Sequence, residues 1–354
     1  MHQTHNLQQR MRLFISIFLP ILIYQLANFS ASFVDTTMTG QYDTLHLAGV
    51  SMATSLWIPF FDLLIGIVSA LVPIIGHHLG QGKKEKIASD FYQFIYLSLG
   101  LSLILFALVF VCAPLVFAHL CLEPLVEEVA KNYLWYLALG IIPLLLFSTI
   151  RSLFDALGLT KLSMYLMLLL LPLNGSFNYA LIYGAFGFPE MGGAGAGLGT
   201  SLAAVKHPKI RSYELWKVRP LDKKGLIEGI RLGLPISGTF FAEVVIFSVV
   251  GLVMAKFSSL IIASHQAAMN FSNLMYAFPM SISTSMSIIV SYEIGANRHD
   301  DVKKFCKLGR LTALGIAGFT FLFLYILRDR VAALYGSDTE FIRMTSVFLT
   351  YSLF

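Results

Sequence analysis

Apolar runs long enough to cross a bilayer recur along the whole chain, and they leave it few folds. A helix needs roughly 20 apolar residues to traverse the hydrocarbon core. Runs of this length fall at about 13–35, 47–72, 91–113, 133–151, 162–184, 232–255, 259–290 and 308–327, and a ninth begins near 342. Within lipid each backbone polar group must be bonded inside its own span, so these runs specify an all-α polytopic membrane protein. Of the 354 residues 56% are hydrophobic and 13% charged, with a mean hydropathy of +0.73. That charge is about half the soluble-domain norm, which excludes both a soluble globular fold and disorder. The first run is too long for a signal peptide and carries Gln25, Asn28 and Asp35, so it reads as an uncleaved helix.

The net charge of +5 does not point to nucleic acid, because the basic residues stand in short loops between apolar runs. Such loops report topology. With the N-terminus inside, 20 of the 25 Lys and Arg residues fall on the inner side; Lys131, Lys256, Arg328, Arg330 and Arg343 fall outside, as does the acidic stretch Glu123, Glu127, Glu128. The expected location is the cytoplasmic membrane, multi-pass, with a cytoplasmic N-terminus. This split holds only if the chain crosses once between 185 and 206. The glycine-rich segment 192–205 is the available crossing. Its length of about 21 Å falls short of the ~30 Å core, so a shortened sixth helix is expected.

An internal repeat organises these spans. Leu19-Pro20-Ile21 recurs as Leu234-Pro235-Ile236, an offset of 215 residues. At the same offset Ala48 meets Ala263, Ala53 meets Ala268, Ile67 meets Ile282 and Gly80 meets Gly295; the loop Lys83, Lys84, Glu85 meets Arg298, His299, Asp300. One ungapped offset across two helices and their loop indicates duplication, and both copies begin inside. Repeated halves with a cavity between them are a transporter signature. The expected domains are an amino-terminal lobe (1–205), a basic cytoplasmic linker (206–231) and a carboxy-terminal lobe (232–354). The second lobe then stops within its fourth helix, the tenth overall.

Polar residues inside the spans are the candidate site. Gln25, Asn28, Ser32 and Asp35 are spaced 3, 4 and 3 and share one helix face. A carboxylate at mid-membrane costs roughly 2.5–3.5 kcal/mol, so such a face turns to a water-filled cavity unless Asp35 lies at headgroup level. Glu243 stands well inside the seventh helix, at the repeat position of Asn28. With no basic residue near it in the helix, it either packs protonated or faces a cavity and binds a coupling cation. Asn174 and Asn178 share a face of the fifth helix, where Asn serves either as interhelical glue or as cavity lining. Thr200 in the glycine-rich segment and His265 in the eighth helix carry weaker signals.

No P-loop, His-Glu-x-x-His or Gly-x-Ser-x-Gly motif is present, so the expectation is a non-enzyme without a bound cofactor, driven by an ion gradient. The three cysteines, Cys112, Cys121 and Cys306, form neither a disulfide framework nor a metal-ligand spacing.

Four segments together resemble the multidrug and toxic compound extrusion family, in its bacterial NorM-type branch. They are Phe33-Val34-Asp35-Thr36-Thr37-Met38-Thr39-Gly40, Leu79-Gly80-Gln81-Gly82, Arg151-Ser152-Leu153 followed by Ala156-Leu157-Gly158, and Leu173-Asn174 with Asn178-Tyr179. The resemblance runs over nearly the whole chain. It implies a two-lobe bundle of the twelve-helix MATE type, here incomplete, with about nine to ten helices. It implies exchange of Na+ or H+ for amphipathic, often cationic, drugs by alternating access. Asp35, with Gln25 and Asn28 on its face, and Asn174, Asn178 and Thr200 would bind substrate or proton. Glu243 would bind the coupling cation, Na+ being one candidate. In some members the position of Asn178 is an acid, and the tenth-helix acid of the second lobe would follow Phe354. The implied partners are drugs and membrane lipid but no nucleic acid. The chain would act as a monomer if complete, or with a completing chain if natively short. Two alternatives follow from the same residues: a non-transporting fragment of such a pump, and a lipid-linked sugar flippase of related fold. The flippase would need basic residues in its cavity, for which Arg151 is the one candidate.

Overall fold

A computed structural model describes residues 6–42, 44–120, 124–183, 219–254, 259–333 and 339–351. Ten α-helices and no strand lie among them: α1 (Leu7–Tyr42), α2 (Thr44–Ser69), α3 (Leu71–Gly80), α4 (Lys84–Leu120), α5 (Pro124–Ala156), α6 (Thr160–Tyr183), α7 (Lys223–Met254), α8 (Ser259–Gly295), α9 (His299–Ala333) and α10 (Thr339–Tyr351). Six spans among the described residues are long and apolar enough to cross a membrane, with α2 and α3 forming one of them. A seventh is α5, bent by 48° between Ala138 and Gly140, close to Pro143. Each expected span coincides with helix among the described residues, although α6 and α10 are not among those long and apolar enough to cross. The segment 192–205 and residues 206–218 of the expected linker lie outside the described residues.

The helices pack as the repeat demands. By the 215-residue offset α1 corresponds to α7, and α2 with α3 corresponds to α8. In a two-fold arrangement a contact between α1 and α8 must be matched by one between α7 and α2. Both are among the main contacts of the fold, as is the self-paired contact of α3 with α8. At that last junction Gly80 lies against the backbone of Tyr292 to Ala296, and Gly295 lies against His77. His77 and Tyr292 are themselves repeat partners, so the two contacts are one contact seen from each side. Gly76 lies against Ser291, its own repeat partner, as residues on a two-fold axis must. Side chains are excluded here: a Cβ on Gly80 would collide with backbone atoms of α8.

The turns following α3 and α8 repeat as well. Lys83 N–H donates to His78 O and Arg298 N–H to Glu293 O, each over 3.0 Å, closing the same C-terminal cap. The residue that turns left-handed is Gly82 in the first case (φ 73°) and its repeat partner Asn297 in the second (φ 59°).

Around this axis α1 packs on α6, α2 on α5, and α9 with α10 on the start of α8. The largest core cluster joins α1 to α5 and the ends of α6, α8 and α9 through Phe14, Leu71, Ile75, Ile141, Ile288 and Phe305.

Candidate cation and substrate site

Glu243 lies eight residues beyond Pro235 on α7, half-buried. The Tyr276 hydroxyl of α8 stands near its carboxylate. α7 is placed for this by two close approaches to α2: Gly233 against Ile67, and Gly66 against Ser237 and Phe240. The Phe60 and Phe241 rings, 6.3 Å apart, continue the contact by a further turn. Glu243 thus has a polar neighbour across a helix boundary, which its own helix could not reveal.

On α1 the expected polar face divides. Asn28, the repeat partner of Glu243, is exposed. Gln25 is buried to 2%, and its amide Nε2 has no hydrogen-bond partner among the described residues. It stands between Tyr24 and Ala27, flanking residues that pack on Met167 of α6. Asp35 belongs to α1 and Asn174 and Asn178 to α6, two helices packed on one another, but these three side chains lie outside the described set. Thr200 lies outside it altogether. His265 is 8% exposed, meets the Phe348 ring edge-on at 5.5 Å, and leaves its Nδ1 without a partner.

Arg151 is held on two sides. Its guanidinium lies 3.7 Å over the Tyr24 ring and 3.3 Å from Asp155, whose other carboxylate oxygen accepts from Ser163 at 2.8 Å. These four residues tie α1, α5 and the start of α6 together. Removing one partner of such a buried pair costs about 3–5 kcal/mol, because the other charge is stranded. The arrangement leaves no cationic side chain offered to a pyrophosphate at this position.

Charge also lines the side of the molecule where α1 begins. Arg10 pairs with Asp301 at 3.2 Å, Arg298 with Glu293 at 2.6 Å and His78 with Asp90 at 2.6 Å. Gln93 of α4 clasps residues 220–222: its amide donates to Pro220 O at 3.0 Å and its oxygen accepts from Asp222 N–H at 2.9 Å. The Tyr96 hydroxyl donates to Arg219 O at 2.7 Å. A cavity of about 280 Å³, lined by His77, His78, Glu228, Leu232 and Ser291 among others, sits at the same level between α3, α7 and α8. One intramembrane acid, Asp62 of α2, escaped the repeat-based reading because its partner at the 215 offset is Ala277. Its signal, a carboxylate between Phe61 and Leu63, is as plain as that of Glu243.

The family model MatE matches residues 20–180 and again 235–354, segments whose starts are 215 residues apart, the offset of the repeat. The chain belongs to the MatE family. Among the relatives of this MatE chain, a "Probable multidrug resistance protein NorM" of Streptococcus pneumoniae serotype 4 is 66% identical over 365 aligned positions, covering 100% of this chain and 81% of the relative. A protein of the same name in Oceanobacillus iheyensis is 40% identical, over 100% of this chain and 82% of that one. Since 365 positions exceed 354 residues, some of the pneumococcal protein has no counterpart within this chain. Among solved structures, a MATE protein in complex with MaL6 superposes with a TM-score of 0.83 at 15% identity, covering 97% of this chain and 78% of the other. The eukaryotic MATE transporter AtDTX14 superposes with a TM-score of 0.80 at 17% identity, covering 98% and 79%. The MATE fold expected from the sequence is therefore the observed one. The chain is a membrane transporter of this family and not an enzyme.

Proposed function

We propose that the chain is a cation-coupled antiporter that exports amphipathic, often cationic, drugs across the cytoplasmic membrane by alternating access, with its N-terminus in the cytoplasm. The observation that carries this reading is an acid inside an apolar helix of the second repeat, Glu243, with Tyr276 of α8 near it, in a fold whose two repeats meet at a glycine junction on the side where α1 begins. The names of the NorM relatives, multidrug resistance proteins, support the substrate class.

The chemistry follows from differential affinity. A ligand shifts a conformational equilibrium only by as much as it prefers one state. Sodium or a proton arriving from outside binds Glu243 in the state in which its carboxylate is accessible and ionised. A drug from the cytoplasm binds the opposite state, with Asp35, Gln25, Asn28, Asn174, Asn178 and Thr200 as the candidate polar lining of the first lobe. Because each ligand favours a different state, downhill movement of one drives the other uphill. The amino-terminal lobe (1–205) and carboxy-terminal lobe (232–354) rock about the glycine junction, with 206–231 linking them. The flippase reading is disfavoured by Arg151, which Asp155 and Tyr24 already occupy.

The test is ethidium accumulation in efflux-deficient bacteria making this chain, with membrane abundance checked by blot. The chain should lower accumulation, and Asp35→Asn or Glu243→Gln should abolish the effect at unchanged abundance. Accumulation equal to that of cells without the protein, despite a stable membrane band, would mean a non-transporting member of the fold.

A further inference from the structure

Asp62 has no role in the account above. It stands in the middle of α2, half-buried, and no hydrogen bond or ion pair among the described residues engages it. Carboxylates at this depth are costly and are retained where they face a cavity or a ligand.

Its direction follows from helical spacing. Asp62, Gly66, Ser69, Pro73, Gly76 and Gly80 are spaced 4, 3, 4, 3 and 4, one stripe running through α2 into α3. Three members already show what the stripe faces. Gly66 lies against Ser237 and Phe240 of α7, Gly76 against Ser291 of α8, and Gly80 against the backbone of Tyr292 to Ala296. Asp62 is therefore turned toward the junction of the two repeats, one helical turn beyond its last glycine contact. Its carboxyl oxygens are not among the sealed, partnerless side-chain atoms of the interior.

The surroundings select the ligand. Phe60 of α2 and Phe240 and Phe241 of α7 stand at this level. Glu243 is at a similar depth: it lies six residues past Ser237 on α7, while Asp62 lies four past Gly66 on α2, a difference of about 3 Å at ~1.5 Å per residue. Tyr276 stands beside Glu243, whereas no hydrogen bond or ion pair among the described residues engages Asp62. An organic cation carries its own apolar shell and needs one counter-charge with ring faces around it.

We infer that Asp62 is the counter-charge for the cationic group of the exported substrate, a specificity-determining residue in the wall of the cleft between the repeats. The inference rests on the exporter reading, which supplies a substrate to that cleft.

The test is binding by the purified chain in detergent, followed by fluorescence titration with ethidium and with the uncharged dye Nile red. Asp62→Asn keeps the shape of the side chain and removes a costly charge, so the variant should fold; its elution profile checks this. Ethidium should bind Asp62→Asn about tenfold more weakly than wild type, Asp62→Glu should recover most of the loss, and Nile red should bind all three alike. Equal ethidium binding by wild type and Asp62→Asn would overturn the inference. So would a parallel loss of both dyes, which would mark Asp62 as structural. Wild-type protein that binds neither dye would sink the exporter reading, and the inference with it.

Discussion

Asn297 is the one non-glycine residue with positive φ among those described, and it caps α8 where Gly82 caps α3. The left-handed conformation costs most L-residues roughly 1–2 kcal/mol, less for Asn, whose short side chain bonds locally. Asn297→Ala should therefore lower stability by about 1 kcal/mol, while Asn297→Gly should not. Thermal unfolding of the detergent-solubilised variants separates them, and equal midpoints for the two would contradict the capping role. Residue-level legibility in the sequence was uneven for physical reasons. Glu243 announces itself because ionisable groups are rare in apolar runs. Its neighbour Tyr276 is invisible, because a side chain standing near it from another helix leaves no periodicity. Arg151 and Asp155, four residues apart, are readable as a pair on one helix; the Tyr24 ring stacked beneath them is not. On α1 burial splits the expected face, with Gln25 enclosed and Asn28 exposed.

Helices in this fold are positioned as much by absences as by contacts. Gly80 and Gly295 admit backbone where any side chain would strike α8 or α3. Gly80→Leu should prise this junction apart, lowering efflux while leaving membrane abundance near wild type. A cysteine placed at Leu232, beside the small cavity at that level, should then react faster with a membrane-impermeant maleimide; unchanged labelling would mean the junction is not a seal. The chain segment before α7 has its own fastening. Gln93 makes two hydrogen bonds to residues 220–222 while itself 2% exposed. Each such bond is worth about 0.5–1.5 kcal/mol, so Gln93→Leu should free the segment and speed tryptic cleavage after Lys223, next to the clasped Asp222, several-fold. Cleavage at the wild-type rate would show that the clasp does not hold it. The helices themselves were readable because membrane spans must be long, apolar and internally bonded, which leaves a strong one-dimensional signal. The clasp was not, since a loop's docking site depends on which helix lies beneath it. The break between α2 and α3 at Ala70 likewise falls inside one apolar run, with Pro73 just beyond it.

At the scale of the molecule, the helices that begin with α1 and those that begin with α7 follow one pattern and face each other across an axis that runs through Gly76 and Ser291. Its legibility came from that duplication: a single offset predicted which helices correspond, and correspondence then dictated that α1 meet α8 wherever α2 meets α7. Such a junction has two natural arrangements, closed on one side or on the other, and ligands that prefer different arrangements become coupled. The account stands on Glu243 being the group through which an inorganic cation biases that choice. The most direct measurement uses everted membrane vesicles containing this chain, with ethidium outside and a sodium or proton gradient imposed across the membrane. Wild-type vesicles should concentrate the dye only while one of these gradients is present, and Glu243→Gln vesicles with equal protein should not. Dye uptake that is the same with and without a gradient, or the same in Glu243→Gln as in wild type, would contradict cation coupling through this residue.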